Sequence, residues 1–409
     1  MRIAIVGAGI SGLGAAYLLA RAHQVEIFER DARPGGHVHT IAHDGLQLDT
    51  GFIVFNERNY PRLVRLFSEL GVRTQPSEMS FSVGCERCSL EWSGRRPFAQ
   101  PLNAASPRFL AFLMEVSRWL RTARRALEDG SYGDRTLLDF ITERGYSRLF
   151  RDHFLVPLTS ALWSTAPERA LEFPAGYAIR FFNQHGMLGF GRFDWRTVAG
   201  GSRAYVAALC ERLRGRVHLG LGISELRRTL DGVLLRTEDG QERRFDKVVV
   251  AAHADQALRL LGDASDEERR VLGAFGYTTN DTVLHSDPSL LPRRRAARAS
   301  WNFARGDCGV SNGRPTITYY LNRLQQLEAD RDYCVTLNRT DEIAPESVIA
   351  RMTYEHPVYT LESLAAQRDL SELSGPRHTV YAGAHHGNGF HEDGLASGVR
   401  AAALLGVEW

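Results

Sequence analysis

Lysine is nearly missing from this sequence. Of its 50 basic residues only Lys247 is a lysine, so arginine carries almost all the positive charge. Against 48 acidic residues the net charge is +2. That balance selects neither an acidic nor a basic partner, and no nucleic acid is expected among the ligands. Cysteine is scarce and odd in number, five in all; with no secretory leader, this points to a reducing, cytoplasmic setting. The first strand starts at Arg2, leaving no room for a targeting peptide. No run of about eighteen or more apolar residues is present, so no segment is expected to span a membrane. A second GxGxxG on a strand–helix unit is also absent, which argues against a separate NADPH site. The one CxxC, Cys85 and Cys88, has no companion pair at matching spacing, so zinc would lack half of its usual tetrahedral ligand set. The expectation there is a turn with two free thiols rather than a redox couple, and no metal site.

What is present is globular. Hydrophobic residues make up 44% and charged residues 24%, enough for large cores, and 409 residues imply two domains. The most informative stretch is the first thirty residues. Arg2 to Val6 is a short apolar run suited to a buried parallel strand. Gly7-Ala8-Gly9-Ile10-Ser11-Gly12 follows at once and opens a helix, and Gln24 to Phe28 is a second strand ending at Glu29. The first glycine allows the sharp turn, the second lets a pyrophosphate approach the backbone, and the third lets helix and strand pack closely. The free N–H groups of the helix attract phosphate, and Glu29 lies where a carboxylate accepts from ribose hydroxyls. A dinucleotide is the ligand this arrangement fits.

Further along, Asp44-Gly45 marks a hairpin turn, and Pro61 and Gly71 bracket a helix. Glu78 to Trp92 reads as two strands. The region from Ser106 to about Gln184 is helical, with Ser106 and Pro107 as its start and Pro157 as a kink. Its first part is amphipathic and arginine-rich, which suits a helix packed on its own core and, as a minority reading, a membrane surface. Val217 to Leu219, Ile223 to Thr229 and Val233 to Thr237 read as meander strands, after which Lys247 to Ala252 rejoins the parallel sheet. His378 to Gly383 is the last strand. A glycine-rich turn through Gly398 then leads into the terminal helix.

Gly7 to Gly12, Gly35-Gly36, Asp49 to Phe55, Trp195 to Tyr205 and Phe390 to Gly398 together resemble the FAD-dependent oxidoreductases of the flavin amine oxidase superfamily. The resemblance is to a bacterial group often found with cyclopropane-fatty-acid-synthase-like methyltransferases. It implies an α/β fold: a Rossmann-like FAD-binding domain of the amine-oxidase and glutathione-reductase type, from residues 1–75, 196–265 and 376–409. It further implies a mixed α+β substrate domain from 76–195 and 266–375, with a helical insert at 106–190. FAD is the implied cofactor, held by Gly7, Ala8, Gly9, Ser11, Gly12, Glu29, Arg30, Gly35, Gly36, His37, Thr50, Gly51, Phe52 and Ile53. Ile223, Ala252 and Gly383 at strand ends, with Glu392, Asp393, Gly394, Leu395 and Ser397 in the final turn and helix, complete the set. His37 stands where those enzymes usually have arginine.

Those enzymes also usually hold a lysine near flavin N5. Lys247 sits at a strand start in the nucleotide domain, so lysine-assisted amine oxidation is not expected. His385 and His386 fall where aromatic side chains near the flavin face are expected; one could exchange protons near neutral pH, or both could simply pack. The resemblance implies hydride removal from an apolar substrate, an unsaturated or modified fatty acyl chain, with a lipid methyltransferase as partner. A polyene or amine oxidase/desaturase, and a non-catalytic flavin-bound accessory protein, are the rival readings. The expected location is the cytoplasm, with peripheral contact at the inner membrane face as the minority reading.

Overall fold

A five-stranded parallel sheet lies at the base of the molecule, in the order Val217–His218, Gln24–Phe28, Arg2–Val6, Lys247–Val250, Thr379–Tyr381. The computed structural model describes residues 1–189, 193–308 and 313–409. The central strands are apolar because both faces are covered. On one face pack the helix Ile10–Leu19 and the terminal helix His391–Leu404. On the other lies an antiparallel meander, Ile223–Thr229, Gly232–Thr237 and Glu242–Phe245. Val217–His218, expected as a meander strand, instead pairs in parallel with Gln24–Phe28 at the sheet edge. Its two residues are too few for a facial pattern to separate the two roles.

The two helices approach closely enough that side chains would not fit between them. A Cβ at Gly398 would lie 2.2 Å from the Ser11 carbonyl oxygen, and one at Gly14 would lie 2.5 Å from Leu395.

The second sheet has seven strands, in the order Val348–Val358, Gly276–His285, Cys334–Leu337, Ile317–Tyr320, Trp301–Arg305, Phe81–Cys85, Glu91–Ser93. Its pairings are antiparallel except for Trp301–Arg305 with Phe81–Cys85. The region read as helical from Ser106 resolves into separate helices, Pro107–Asp129, Leu137–Glu143, Val156–Trp163 and Ala175–Gln184. Ser106 Oγ accepts from the Phe109 amide at the first N-terminus. Fully buried Trp119 holds the group together through ring contacts with Phe140, Tyr146, Phe150 and Phe182. Among the described residues no helix is long and apolar enough to cross a membrane.

Asp49 ties these parts together. Fully buried, it accepts from Thr40 Oγ1 (2.5 Å), the Ser202 amide (2.9 Å) and hydroxyl (2.8 Å), and Gln325 Nε2 (3.1 Å). Burial pushes its carboxyl up from 3.8 to about 6, against the hydrogen bonds from Thr40 and Ser202. A folded-state value above the unfolded one means the contribution is full below 3.8 and lost as pH rises through about 6. Asp49→Asn replaces one accepting oxygen by an NH₂ that cannot accept from Ser202 or Gln325, so it should lower stability by about 2 kcal/mol, and with the titrating group gone it should flatten the dependence of Tm on pH across that window. Thermal unfolding of both proteins through the window checks this; parallel curves would contradict it.

Candidate functional site

A cavity of about 880 Å³ runs from the C-terminal ends of the parallel strands to the underside of the second sheet. One end is built by the first strand–turn–helix. Gly7 has φ +102°, and a Cβ there would also meet the Ala251 carbonyl oxygen at 2.5 Å. A Cβ at Gly12 would lie 1.9 Å from the Gly7 carbonyl oxygen, so helix and strand touch through backbone. At Gly9, by contrast, a Cβ would meet nothing within 4 Å, because it would project into the cavity. No side chain caps the helix at Gly9, so its first-turn N–H groups are available to an anion. Glu29 Oε2 accepts from the Ala8 amide (2.7 Å) and Oε1 from the Asp31 amide (2.9 Å), which fixes the carboxylate at the rim. This cradle fits an extended dinucleotide.

Gly7, Gly9, Ser11, Glu29, Arg30, Gly35, Gly36 and His37 all line the cavity, as do Thr50, Gly51, Phe52, Ile53, Ile223, Ala252 and Gly383. Ala8 and Gly12 support the turn from outside the lining. The terminal turn divides differently. Gly383, His385, Phe390 and His391 reach the wall, whereas His386, Glu392, Asp393, Gly394, Leu395 and Ser397 do not. Glu392 accepts from the Arg62 and Leu63 amides (3.0 Å each) and so caps the helix Pro61–Leu70. Asp393 accepts from the Phe390 amide (2.9 Å). Ser397 Oγ accepts from the Gly383 amide (2.8 Å) and donates to the Gly394 carbonyl (2.6 Å). Gly394 and Leu395 sit in the helix–helix contact. These residues shape the turn rather than face its interior.

Histidine dominates the wall more than the chain's motifs suggested. His37, His185, His253, His356, His385 and His391 all line it. Burial is the first cause of a lowered pKa in each, with neighbouring histidines adding to it in several. His37 and His185 fall to about 4, His356 and His391 to about 3, and His385 falls well below the usual value. All are therefore neutral at pH 7. His37 is anchored by Glu355 O (3.1 Å) and stacks on Tyr354; neutral, it does not replace an arginine's charge. His391 stacks on Phe52 with ring centroids 4.0 Å apart and bonds Tyr205 Oη (2.5 Å). His385 is 3% exposed, and its Nε2 has no partner among the described residues.

Away from that turn the lining is largely apolar: Leu162, Trp163, Phe181, Trp195, Trp301 and Phe390 form much of it. Sequence reasoning missed His253, Tyr354, Glu355 and His356, which reach the cavity from a loop and a strand without a local motif. Only their long-range pairing with residues near position 37 marks them.

Comparison with known proteins agrees with this geometry. A family model described as flavin containing amine oxidoreductase matches residues 10–292. Among solved structures, putrescine oxidase bound to putrescine superimposes with a TM-score of 0.74 at 16% identity, covering 99% of each chain. A CLA-producing fatty acid isomerase from P. acnes gives 0.66 at 18% identity, covering 99% of this chain and 97% of that one. Protoporphyrinogen oxidase 2 of Arabidopsis thaliana is 42% identical over 73 residues, 18% of this chain and 14% of the relative. A 4,4'-diapophytoene desaturase of Staphylococcus haemolyticus is 48% identical over 52 residues, 12% and 10% respectively. These matches thus span about a seventh or less of the curated relatives' own length.

Two glycines separate folding from cofactor uptake. Gly9→Val should leave circular dichroism and Tm near wild type while lowering FAD affinity at least about 100-fold, since its branches fill the phosphate approach. Gly7→Val should instead yield little folded protein. Equal FAD affinity in Gly9→Val and wild type, measured by fluorescence titration, would refute this assignment.

Proposed function

Because the chain belongs to the flavin containing amine oxidoreductase family and is an FAD-dependent oxidoreductase, we propose that it removes hydride from a neutral, apolar substrate, an unsaturated or modified fatty acyl chain. Bound FAD supplies the two-electron acceptor. The observation that carries the substrate class is charge. Three carboxylates line the cavity among the described residues, Glu29, Asp31 and Glu355. Glu29 and Asp31 stand at the nucleotide end. Glu355 accepts from Gln256 Nε2 (3.3 Å) and lies 3.3 Å from His253 Nδ1, both on the segment that follows strand Lys247–Val250, so it too faces the nucleotide end. A protonated amine among the apolar lining residues would be a desolvated cation without a counter-charge, at a cost of several kcal/mol. A saturated or unsaturated chain loses nothing there and gains from aromatic contact.

The chain's own groups have distinct tasks. The helix Ile10–Leu19 and Glu29 hold the dinucleotide. The aromatic wall excludes water and orients the substrate. His385, neutral with Nε2 unpartnered, is placed to accept a proton at that nitrogen; His386 packs behind it with ring centroids 4.8 Å apart. The fold shared with a fatty acid isomerase supports an acyl substrate, although putrescine oxidase shares the fold too.

Peripheral membrane contact belongs to the same proposal. Phe98, Leu102, Leu110 and Met114 are exposed around the start of the arginine-rich helix, Leu102 by 85%. Wild type should sediment with anionic phospholipid vesicles, and a Leu102→Glu/Met114→Glu double variant should not; equal sedimentation removes the contact. A lipid methyltransferase partner rests on the sequence resemblance, and failure of the two to co-purify would remove it.

The substrate test is anaerobic mixing of FAD-loaded protein with an unsaturated fatty acyl ester and, separately, with putrescine. The ester should bleach the flavin and the amine should not; the reverse overturns the reading. The reductive rate should be level from about pH 6 to 8, since the wall histidines are already neutral. His385→Phe should lower kcat about 100-fold with FAD retained, a drop that His386→Phe should not reproduce.

A further inference from the structure

The CxxC turn is the one sequence motif that the cavity does not use, and the fold completes it. Strand Phe81–Cys85 runs parallel to Trp301–Arg305, with Cys85 opposite Arg305, so the chain leaving the second strand brings Cys308 to the CxxC turn. The Glu86 amide donates to Arg305 O (2.8 Å), and Arg87 makes a two-pronged bond to Asp307 (2.7 and 2.9 Å). His153 arrives from below on the π-helical turn Arg151–Leu155, an irregularity that frequently marks a functional position. One donor atom from each of Cys85, Cys88, Cys308 and His153 lies within 4.8 Å of every other.

From this geometry we propose that Cys85, Cys88, Cys308 and His153 form a closed, structural zinc site of the Cys₃His type. Three observations support it. The Sγ atoms of Cys85 and Cys308 are 3.7 Å apart, the edge of a tetrahedron of about 3.8 Å that Zn–S bonds of about 2.3 Å require. A disulfide would need about 2.05 Å. His153 is 2% exposed, and its Nδ1 has no hydrogen-bond partner among the described residues. Left that way a buried imidazole nitrogen is costly, and coordination is the partner the site offers. The CxxC segment also reverses tightly: the Cys85 amide donates to the Leu90 carbonyl (2.9 Å), and Ser89, next after Cys88, has φ +55°.

Binding converts three thiols to thiolates and releases three protons, leaving a neutral imidazole as the fourth ligand. With four protein ligands there is no open position, so the ion is structural. None of the four lines the cavity. The ion would join the seven-stranded sheet to the helices below it, through segments far apart in sequence.

The test is metal analysis of the full-length, FAD-loaded protein purified under reductant from zinc-supplemented cells. About one zinc per chain is expected, falling below about a tenth in Cys308→Ser and in Cys88→Ser, with FAD content unchanged. Cys88 is exposed, so its variant folds even if burial at His153 makes His153→Ala fail. Cobalt replacement should give the intense visible bands of a tetrahedral thiolate site, and chelation should lower Tm. Zinc content that is negligible in wild type, or equal in wild type and both serine variants, overturns the site.

Discussion

Contact between backbone and backbone at the first turn governs everything above it. Because Gly12 rests on the Gly7 carbonyl and Gly398 on that of Ser11, two helices enter the same small volume with their N-termini toward one cavity. A single methyl group at Gly398 would push them apart, and one at Gly12 would lift the first helix off its strand. The helix Ile10–Leu19 is buried on nearly every side, so its stability comes from this packing rather than from an amphipathic stripe. The first-turn amide groups left for an anion, and the glutamate held beside them by the Ala8 amide, follow from that approach.

Above this base the cavity is electrically quiet. Six histidines, several tyrosines and a set of tryptophans surround it, yet burial keeps the imidazoles uncharged. The formal charges that reach the wall sit toward the dinucleotide end, with Glu355 hydrogen-bonded to Gln256 and Arg259 to Asp255. Such a chamber discriminates by desolvation: what enters must leave little hydration behind. Neutral imidazoles add directional hydrogen bonding without adding a field, and the stacking of His391 on Phe52 and of His37 on Tyr354 fixes their planes.

Local chemistry was readable in the linear sequence, and assembled chemistry was not. The strand–turn–helix of residues 2–28 announces itself because its glycines, its acidic strand end and its helix start are all within thirty residues. Ser106 with Pro107 and the hairpin at Asp44 are local in the same way. His253, His356 and Tyr354 carry no such signature; they matter because the second sheet lays Val348–Val358 across the mouth of the first. The clearest case is Cys85 with Cys88. Spacing alone argued for idle thiols, since the remaining donors stand 65 and 220 positions further on (153 − 88 and 308 − 88). Glu392, Asp393 and Ser397 differ in the opposite direction, lying outside the cavity lining. They lie in the expected motif but spend their oxygens on backbone amides, those of Arg62 and Leu63 for Glu392, Phe390 for Asp393 and Gly383 for Ser397.

The order of strands in the parallel sheet also dictates when this protein can become functional during synthesis. Residues 2–6 need Lys247–Val250 as a neighbour, and that strand in turn needs Thr379–Tyr381. A ribosome must therefore release nearly the whole polypeptide before the nucleotide pocket can close. Until then, an apolar strand edge waits without its mate, exposed to chaperones and to aggregation. The amino-terminal fingerprint is made first and completed last.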